Sequence, residues 1–279
     1  MFKGILTNAV NLNIERVAGI EVNNFNSIYL KRKVKLSILL PPLFSNTDTP
    51  SSLLIMNDGQ DLASMKVDAT LQLLSNTNSI RKLIIVGIHS ADRLSEYGIA
   101  GRPDFKNRGA KAKDYQQFLL NELLPYLKSN YSISDKTEDI GYAGCSLGGL
   151  SAFDTVFNQP NIFGVCGVFS GAFWWRSVDL GKNYTDSARI MHDVVQKRKV
   201  ICKAKFWLEA GTEDEKADRN NNGIIDAIDD TLDLLLIMEK KGYHRNTDFY
   251  YHQIEGGKHN LQTWSEALPI FLIWAFSKS

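Results

Sequence analysis

The amino-acid sequence predicts an α/β fold, with a mostly parallel sheet that is covered by helices on both faces. The first observation is that short apolar runs alternate along the chain with longer segments whose apolar residues have helical spacing, a pattern typical of such folds. The second is a glycine-flanked turn, residues 144–148, that joins an apolar run to a helical segment. In parallel sheets, the loops that follow the carboxyl ends of strands commonly carry function.

Length, composition and charge limit the classes of protein to consider. The chain has 279 residues, of which 44% are hydrophobic, so we predict a single domain over residues 1–279. The net charge of +1 gives no electrostatic reason to expect binding to nucleic acid or to an anionic membrane. Residues 1–16 lack the pattern of a signal peptide, and no window is long and apolar enough to span a bilayer. We therefore expect a soluble, cytoplasmic protein, of unknown oligomeric state, whose three cysteines are free thiols.

Seven segments are predicted to be strands. The first alternates apolar with charged or polar residues and ends at Pro41 and Pro42, which is typical of a half-exposed strand. Most of the others are compact apolar runs, as expected for buried parallel strands. The predicted strands are residues 33–40, 52–56, 83–88, 139–143, 165–170, 205–210 and 248–254.

In the segments between most of these strands, and in the segment after the last one, apolar residues recur at the spacing of a helix face. We expect Pro125 to kink the second predicted helix, because proline lacks the N–H group that a helix needs. The predicted helices are residues 63–74, 115–127, 150–157, 186–197, 228–241 and 261–276.

Ser146 is the candidate nucleophile, at the centre of the turn Gly144-Cys145-Ser146-Leu147-Gly148. A strand-to-helix turn of this kind holds a serine hydroxyl out of the chain toward a base, which activates it. The two glycines would let strand and helix pack closely, and packing alone is the alternative explanation for them. Cys145 is the alternative nucleophile, but its side chain should leave the turn in a different direction.

His259 is the candidate general base. It follows the last predicted strand, in the glycine-containing segment 255–260, and we expect the glycines to let this segment bend so that the imidazole reaches Ser146. The alternative is a histidine on a surface loop. Among the other histidines, His89, at the end of a predicted strand, is the reserve candidate.

A third residue must orient the histidine and stabilise its positive charge. The sixth predicted strand leads into the acidic loop 211–215, in which Asp214 is our candidate. The chain order Ser146, Asp214, His259 is then the nucleophile, acid, histidine order expected of an α/β-hydrolase. A solvated acidic turn is the alternative explanation for the loop. The acidic residues that remain alternatives to Asp214 are Glu213, Glu215 and Asp218.

Two backbone N–H groups are needed to bind the oxyanion that forms when a nucleophile attacks an acyl carbonyl group. The first is expected from Leu147, the residue after the nucleophile. The second should come from a loop after an earlier strand, where Gly59 or Gln60 is the candidate. The alternative is that Asp58 and Gly59 form an ordinary turn.

Together these segments resemble the putative-esterase family of α/β-hydrolases, which includes esterase D, enterochelin esterase and the feruloyl and acetylxylan esterases of carbohydrate family 1. The resemblance is greatest to the enterochelin-esterase-like members. It implies serine hydrolysis of a small-molecule carboxylic ester through an acyl-enzyme, without an organic cofactor. The chain departs from the family in lacking a strong cap domain and in having a longer acidic loop. The matching segments are residues 40–42, 57–60, 93–97, 122–125, 141–149, 170–171 and 256–264.

The longer acidic loop contains a second motif, at residues 218–229, that resembles a calcium-binding loop. Oxygen-bearing side chains lie at loop positions 1, 3, 5, 9 and 12, a glycine lies at position 6, and position 7 can offer its carbonyl. The last position is aspartate, as in dockerin-type loops, where glutamate is usual, and this shorter acid is expected to weaken binding. An Asn-rich turn that caps the next helix is the alternative. The predicted ligands are Asp218, Asn220, Asn222, Ile224, Asp226 and Asp229.

Aromatic residues follow two of the strands whose ends should form the site. Trp174 and Trp175 come after the fifth predicted strand, and Trp264 follows the candidate histidine. They are candidates for a substrate platform, with core packing as the alternative. Arg93 and Glu96 are expected to pair and brace a neighbouring loop, with substrate contact by Arg93 as the alternative.

Two functions are compatible with these features. A serine esterase would use Ser146, Asp214 and His259 for catalysis. A non-catalytic binding or scaffold protein would use the calcium-like loop and the aromatic residues for interaction. Because every residue type that the triad requires is present, the sequence favours the esterase.

Overall fold

The computed structural model describes residues 16–47, 49–181 and 183–278 of the chain. The strands are β1 (Ala18–Ser27), β2 (Arg32–Leu40), β3 (Ser52–Asn57), β4 (Leu83–Ile88), β5 (Ile140–Cys145), β6 (Val165–Phe169), β7 (Lys205–Glu213) and β8 (Phe249–Lys258). They form one eight-stranded sheet in the order β1-β2-β4-β3-β5-β6-β7-β8.

The sheet is mostly parallel, as predicted. β1 and β2 are antiparallel to each other, and β2 is antiparallel to β4. The remaining neighbours, from β4 through β3, β5, β6 and β7 to β8, are parallel. Their carboxyl ends therefore meet at one edge of the sheet, where the loops that carry the candidate residues come together.

Helices cover both faces of the sheet, which confirms the second part of the prediction. The helices are α1 (Val67–Asn76), α2 (Arg93–Glu96), α3 (Ala112–Phe118), α4 (Leu124–Asn130), α5 (Leu147–Asn158), α6 (Ile190–Lys197), α7 (Asp226–Lys240) and α8 (Leu261–Phe276). Buried residues of α1 and α8 share one hydrophobic core with one face of the sheet. Buried residues of α3 to α7 share the other.

The sequence pattern does not predict β1. Most of its side chains are exposed, so burial does not impose a regular alternation of apolar and polar residues on it. In addition, its pairing with β2 shifts register between Val22 and Phe25, and such a bulge interrupts the two-residue period.

Two predicted helices are interrupted. The one around Pro125 consists of α3, a π-helical turn at Leu119–Leu123 and α4, with the proline in the first turn of α4. Proline cannot donate the helical hydrogen bond, and a π turn is one way to accommodate its loss. The predicted helix 186–197 is a 3₁₀ turn at Asp186–Ala188 followed by α6, because Arg189 between them has an extended conformation.

β7 and β8 are longer than predicted, so the glycines before His259 belong to β8 and not to a loop. Gly256 has a φ of 68°, at a register shift in the pairing of β8 with β7, so the segment bends at a glycine as expected, but within a paired strand. A Cβ on Gly211 of β7 would lie 2.3 Å from the carbonyl oxygen of Gly257, so the two strands approach too closely for side chains there. His259 is therefore positioned by the end of a paired strand.

The three cysteines, Cys145, Cys166 and Cys202, are buried and unpaired, which confirms that they are free thiols. No helix within the described part of the chain is both long enough and apolar enough to cross a membrane. The expectation about a signal peptide concerns residues 1–16, and all but the last of these lie outside the described residues.

Candidate active site

Ser146 lies between β5 and α5, in the sharp turn that the sequence predicts. Its φ of 55° and ψ of −121° are unfavourable for a residue with a side chain, and such a conformation costs about 1–3 kcal/mol. A Cβ on Gly144 would lie 2.5 Å from the backbone carbonyl of Gly148. Strand and helix therefore cross so closely that only glycine fits, and strained turns of this kind present nucleophilic serines.

Backbone hydrogen bonds anchor this turn to the neighbouring strand. The N–H of Ser146 donates to the carbonyl of Phe169 at 2.9 Å, and the carbonyl of Ser146 accepts from Ala172 at 3.2 Å. The adjacent Cys145 is buried, and burial raises the pKa of its thiol well above the usual range. Because the thiolate is the reactive form, Cys145 is a poor candidate for the nucleophile.

Asp214 and His259 form an acid–histidine pair. The Nδ1 atom of His259 lies 3.7 Å from Oδ1 of Asp214; the imidazole is 41% exposed and the carboxylate is completely buried. The Ser170 hydroxyl donates to Oδ1 of Asp214 at 3.0 Å, and the N–H of Gly211 donates to Oδ2 at 3.3 Å. These bonds fix the carboxylate against the imidazole, as a group that orients a general base requires.

The other acidic residues of this loop do not pair with His259. Glu213 is exposed and lies 3.6 Å from the ammonium group of Lys258. Asp218 accepts backbone N–H groups of the calcium-like loop. Glu215 lines the same pocket as Ser146, and burial raises its pKa. Of the four acids, all of which the structure describes, Asp214 alone pairs with His259.

One pocket of about 220 Å³ brings these groups together at the carboxyl edge of the sheet. Its walls come from the β5–α5 turn, the loop after β6, the loop after β7, the start of α7 and the end of β8. The three predicted triad residues therefore face the same space. The lining residues are Ser146, Ser170, Gly171, Ala172, Trp174, Asp214, Glu215, Ala227 and His259.

The candidate oxyanion donors lie at the starts of two helices. Leu147 is the first residue of α5, and Gly59 is the first residue of a one-turn 3₁₀ helix after β3. N–H groups in the first turn of a helix, including that of Gln60, have no acceptor within the helix. The amide of Asn57 donates to the carbonyl of Gly148 at 2.7 Å and ties the two helix starts together. Gly59 and Gln60 line a different pocket from the one that Ser146 lines, and the binding of an oxyanion by these N–H groups stays a prediction.

Arg93 and Glu96 do not pair with each other, contrary to the expectation. The Arg93 guanidinium binds Asp58 through two hydrogen bonds, of 2.8 and 3.1 Å, while Glu96 binds Arg32 through two of 2.7 Å. Asp58 precedes the candidate oxyanion residue and is itself buried. Arg93 therefore braces the loop that contains Asp58, Gly59 and Gln60, and substrate contact by its side chain, which is 39% exposed, stays a prediction.

The three candidate tryptophans have different surroundings. Trp174 is half-buried and lines the pocket. Trp175 is completely buried, and its indole donates to a backbone carbonyl at 3.1 Å, so its expected role in a substrate platform is corrected to core packing. The buried indole of Trp264 donates to the hydroxyl of Ser170 at 2.9 Å, and its ring lies edge to face, 5.0 Å from that of His259. Trp264 thus supports the imidazole.

The calcium-like loop has a compact, hydrogen-bonded conformation. The Asp218 carboxylate accepts the N–H groups of Asn222 and Gly223 at 3.1 and 2.9 Å. The side-chain amides of Asn220 and Asn222 lie 2.9 and 3.3 Å from the Asp229 carboxylate. Gly223 has a φ of 85°, which suits glycine at position 6. The N–H of Ile224 donates to the side-chain oxygen of Asn222. The carbonyl of Ile224 is therefore the backbone group that could bind a cation.

Arg219 supplies positive charge inside this acidic segment. Its nearly buried guanidinium lies 2.9 Å from Asp226 and 2.8 Å from Asp230. Two predicted metal ligands thus lie beside this guanidinium, Asp226 and, at 3.6 Å, Asp229, and their binding of a metal stays a prediction. Within residues 16–47, 49–181 and 183–278, no three His, Cys, Asp or Glu side chains converge to hold a metal ion, so a cation would also need amide and carbonyl oxygens.

Two residues of the site are missed by sequence reasoning. Ser170, at φ 47°, follows β6 and bonds Asp214. Glu209 is completely buried in β7, next to Ser170. The available signal was a glutamate within the apolar run of a predicted buried strand, because a buried carboxyl group requires a specific reason.

The strand order, the parallel core and the serine turn define an α/β-hydrolase fold. The sequence profile of the family described as "Putative esterase" matches residues 27–275, and the chain belongs to that family. Two relatives are uncharacterized proteins of Bacillus subtilis (strain 168). YbbA is 25% identical over 147 residues, which are 51% of this chain and 58% of that protein. YjcH is 22% identical over 227 residues, 80% of this chain and 85% of that protein.

Solved structures with the same fold include three esterases or hydrolases. The enterobactin esterase FES from Shigella flexneri has a TM-score of 0.71 at 22% identity, over 92% of this chain and 58% of that one. A ferulic acid esterase has a TM-score of 0.71 at 16% identity, over 94% and 98%. The S-formylglutathione hydrolase FrmB from Staphylococcus aureus has a TM-score of 0.63 at 16% identity, over 93% of this chain and 98% of that one. The match to the Shigella enzyme and the match to YbbA each span less than two thirds of the relative. Family membership supports ester hydrolysis.

Proposed function

We propose that the protein is a serine hydrolase that cleaves a small-molecule carboxylic ester through a Ser146–His259–Asp214 triad. The observation that carries this proposal is the pairing of the buried Asp214 carboxylate with His259, in the pocket that Ser146 also lines. The strained conformation of Ser146 supports it further, because nothing in a purely structural turn requires a serine there.

In the first half of the proposed reaction, His259 accepts the hydroxyl proton while Oγ of Ser146 attacks the ester carbonyl carbon. Asp214 keeps the imidazole oriented and stabilises its positive charge. The N–H of Leu147, together with that of Gly59 or Gln60, binds the negative oxygen that develops. The alkoxide leaves with the proton from His259, and the acyl group remains on the serine.

In the second half, a water molecule takes the place of the alcohol. His259 accepts a proton from this water, the resulting hydroxide attacks the acyl carbon, and the same oxyanion donors act again. Collapse of the second tetrahedral intermediate returns the proton to Ser146 and releases the acid. Every step uses groups of the chain and water, so the mechanism requires no organic cofactor.

The pocket and the relatives suggest which esters to test. Trp174 offers an aromatic wall beside the nucleophile, against which an aromatic acyl group could stack. Structural relatives of this fold include an enterobactin esterase and a ferulic acid esterase. Acetyl, feruloyl and catecholate esters therefore form a panel that separates small from aromatic acyl groups.

Hydrolysis of short p-nitrophenyl esters, with and without a serine-directed phosphonate, tests the proposal. We expect turnover that the phosphonate abolishes, followed by a preference within the ester panel. If the protein hydrolyses no member of either set and is not modified by the phosphonate, the non-catalytic binding protein becomes the better explanation.

We also propose that the loop 218–229 binds Ca²⁺ and stabilises the fold. The carboxylates of Asp218 and Asp229 and the amides of Asn220 and Asn222 already lie in one hydrogen-bonded group, and oxygen atoms are the ligands that Ca²⁺ prefers. Asp226, at position 9, is held by Arg219, and this position often binds through water. The loop begins shortly after Asp214, so binding would steady the loop that carries the triad acid.

Calcium should therefore raise the melting temperature of the EDTA-treated protein, and magnesium should raise it less. A ligand that binds only the folded state adds about 2.7 kcal/mol at a hundredfold excess over Kd. The double variant Asp218→Ala/Asp229→Ala should lose the shift but keep detectable hydrolysis. Asp135→Ala, an exposed acid outside the loop, should keep the shift. A melting temperature that does not change when millimolar calcium is added would contradict the proposal.

A further inference from the structure

Glu209 is a buried carboxyl group that the triad mechanism does not use. Glu209 lies in β7 and is completely buried. The hydroxyl oxygen of Ser170 lies 3.0 Å from Oδ1 of Asp214 and 3.5 Å from Oε2 of Glu209. The indole N–H of Trp264 donates to the same hydroxyl oxygen at 2.9 Å. Two carboxyl groups therefore share one serine hydroxyl beneath His259.

The Ser170 hydroxyl cannot donate to two carboxylates at once. The Ser170 backbone N–H also lowers the pKa of Glu209, but burial and the charge of Asp214 outweigh this effect. Ser170 has a single hydroxyl hydrogen, which the shorter distance assigns to Asp214. Glu209 then has no donor from this hydroxyl, and its Oε1 is buried without a hydrogen-bond partner. Burying a second unpaired negative charge here would be costly, whereas a protonated Glu209 would itself supply the missing hydrogen.

The groups that face Glu209 do not supply a compensating positive charge. From β5 comes the Cys145 thiol, whose pKa is raised by burial and by the charges of Asp58 and Glu209. From β8 comes His252, which lies opposite Glu209 in the strand register and whose pKa burial lowers. Tyr251, also in β8, packs on the other face of the sheet, and burial and then the charge of Glu209 raise its pKa. From the loop after β7 comes Asp214, whose charge raises the pKa of Glu209 further.

We propose that Glu209 is a positioning residue for the triad: as a neutral carboxylic acid it shares Ser170 with Asp214, so that the single buried negative charge lies on Asp214 and faces His259. This inference rests on the proposed function. Glu209 acts through Asp214 and contacts no reacting atom. Its hydroxyl hydrogen would donate to the oxygen of Ser170, while the Ser170 hydrogen stays on Asp214.

The neutral form has a limit on the alkaline side. Burial, and then the charge of Asp214, raise the pKa of Glu209 to about 8. Above that pH a second negative charge would form beside Asp214, repel it and weaken its hold on His259. We therefore expect kcat of the parent protein to fall as the pH rises through about 8, while KM changes less.

Two variants test this expectation. Glu209→Gln has an amide that can donate a hydrogen bond but cannot ionise, so the alkaline fall in kcat should disappear. Glu209→Leu removes the donor, so kcat should fall at every pH by about tenfold, the rate equivalent of one hydrogen bond. At pH 7 we expect the smaller loss for Glu209→Gln. Profiles of the glutamine variant and the parent that superpose would overturn the proposal.

Thermal melting gives a second readout, which requires no substrate. A carboxyl group whose pKa rises from 4.5 to about 8 on folding contributes stability that is present below pH 4.5 and is lost as the pH rises toward 8. The melting temperature of the parent should therefore fall relative to that of Glu209→Gln between pH 5 and pH 8. A constant difference would show that Glu209 is not held neutral, even if the protein proved to hydrolyse no ester. If the difference in melting temperature between the two proteins grows from pH 5 to pH 8 but the parent hydrolyses no ester, only the proposed function fails.

Discussion

Replacing Ser146 with alanine is expected to abolish ester turnover and leave the fold intact. The substitution removes one hydroxyl group from a turn whose geometry depends on Gly144 and Gly148 and on backbone hydrogen bonds. Loss of the nucleophile in a triad typically lowers kcat by about four orders of magnitude or more. Initial rates on the best ester of the panel, with the melting temperature as a check on folding, measure the effect.

The matched control is Cys145→Ala, which changes the neighbouring residue in the same turn. Because the Cys145 thiol is buried and its pKa is raised by burial, we expect this variant to keep most of the turnover. Turnover by purified Ser146→Ala within tenfold of the parent would remove the assignment of the reaction to this serine.

Asp214→Asn is expected to lower kcat by about 10⁴-fold, because an amide cannot hold the imidazole in the required tautomer or balance its positive charge. Glu213→Gln should have little effect, since Glu213 is exposed and pairs with Lys258. The kcat of Glu215→Gln should lie between those of the other two variants, since Glu215 lines the pocket but does not pair with His259. The order of the three kcat values is the measurement.

Another order would identify a different acid. If Glu213→Gln or Asp218→Asn proved to be the most damaging change, the pairing of Asp214 with His259 at 3.7 Å would not be the arrangement that the reaction uses. Comparable, small effects of all the substitutions would indicate a serine–histidine pair that works without a third residue.

The parts of this protein that could be predicted from sequence are those in which local pattern and global fold agree. Apolar runs such as β3 and β4 are completely buried, so their composition leaves little ambiguity. The turn around Ser146 is recognisable because one steric demand is local: a Cβ on Gly144 would lie 2.5 Å from the backbone of Gly148. Residues that follow parallel strands meet at one edge of the sheet, and this brought Asp214 and His259 into consideration.

The parts that could not be predicted depend on contacts between distant segments. Trp174 and Trp175 are neighbours in the chain, but one lines the pocket and the other is buried, a difference that only tertiary packing decides. The close approach of Gly211 and Gly257 depends on the pairing of β7 with β8. Arg93 also required the fold, because its partner lies 35 residues earlier in the chain, at Asp58.

The measurement that tests the central claim most directly is the site at which a serine-directed phosphonate modifies the protein. Trypsin should release residues 137–176, which contain Ser146, Ser151 and Ser170, so fragment ions must distinguish the three. We predict one phosphonate per chain, on Ser146, and no modification of the Ser146→Ala variant. Modification of another residue with loss of activity, or unchanged modification of Ser146→Ala, would contradict the account.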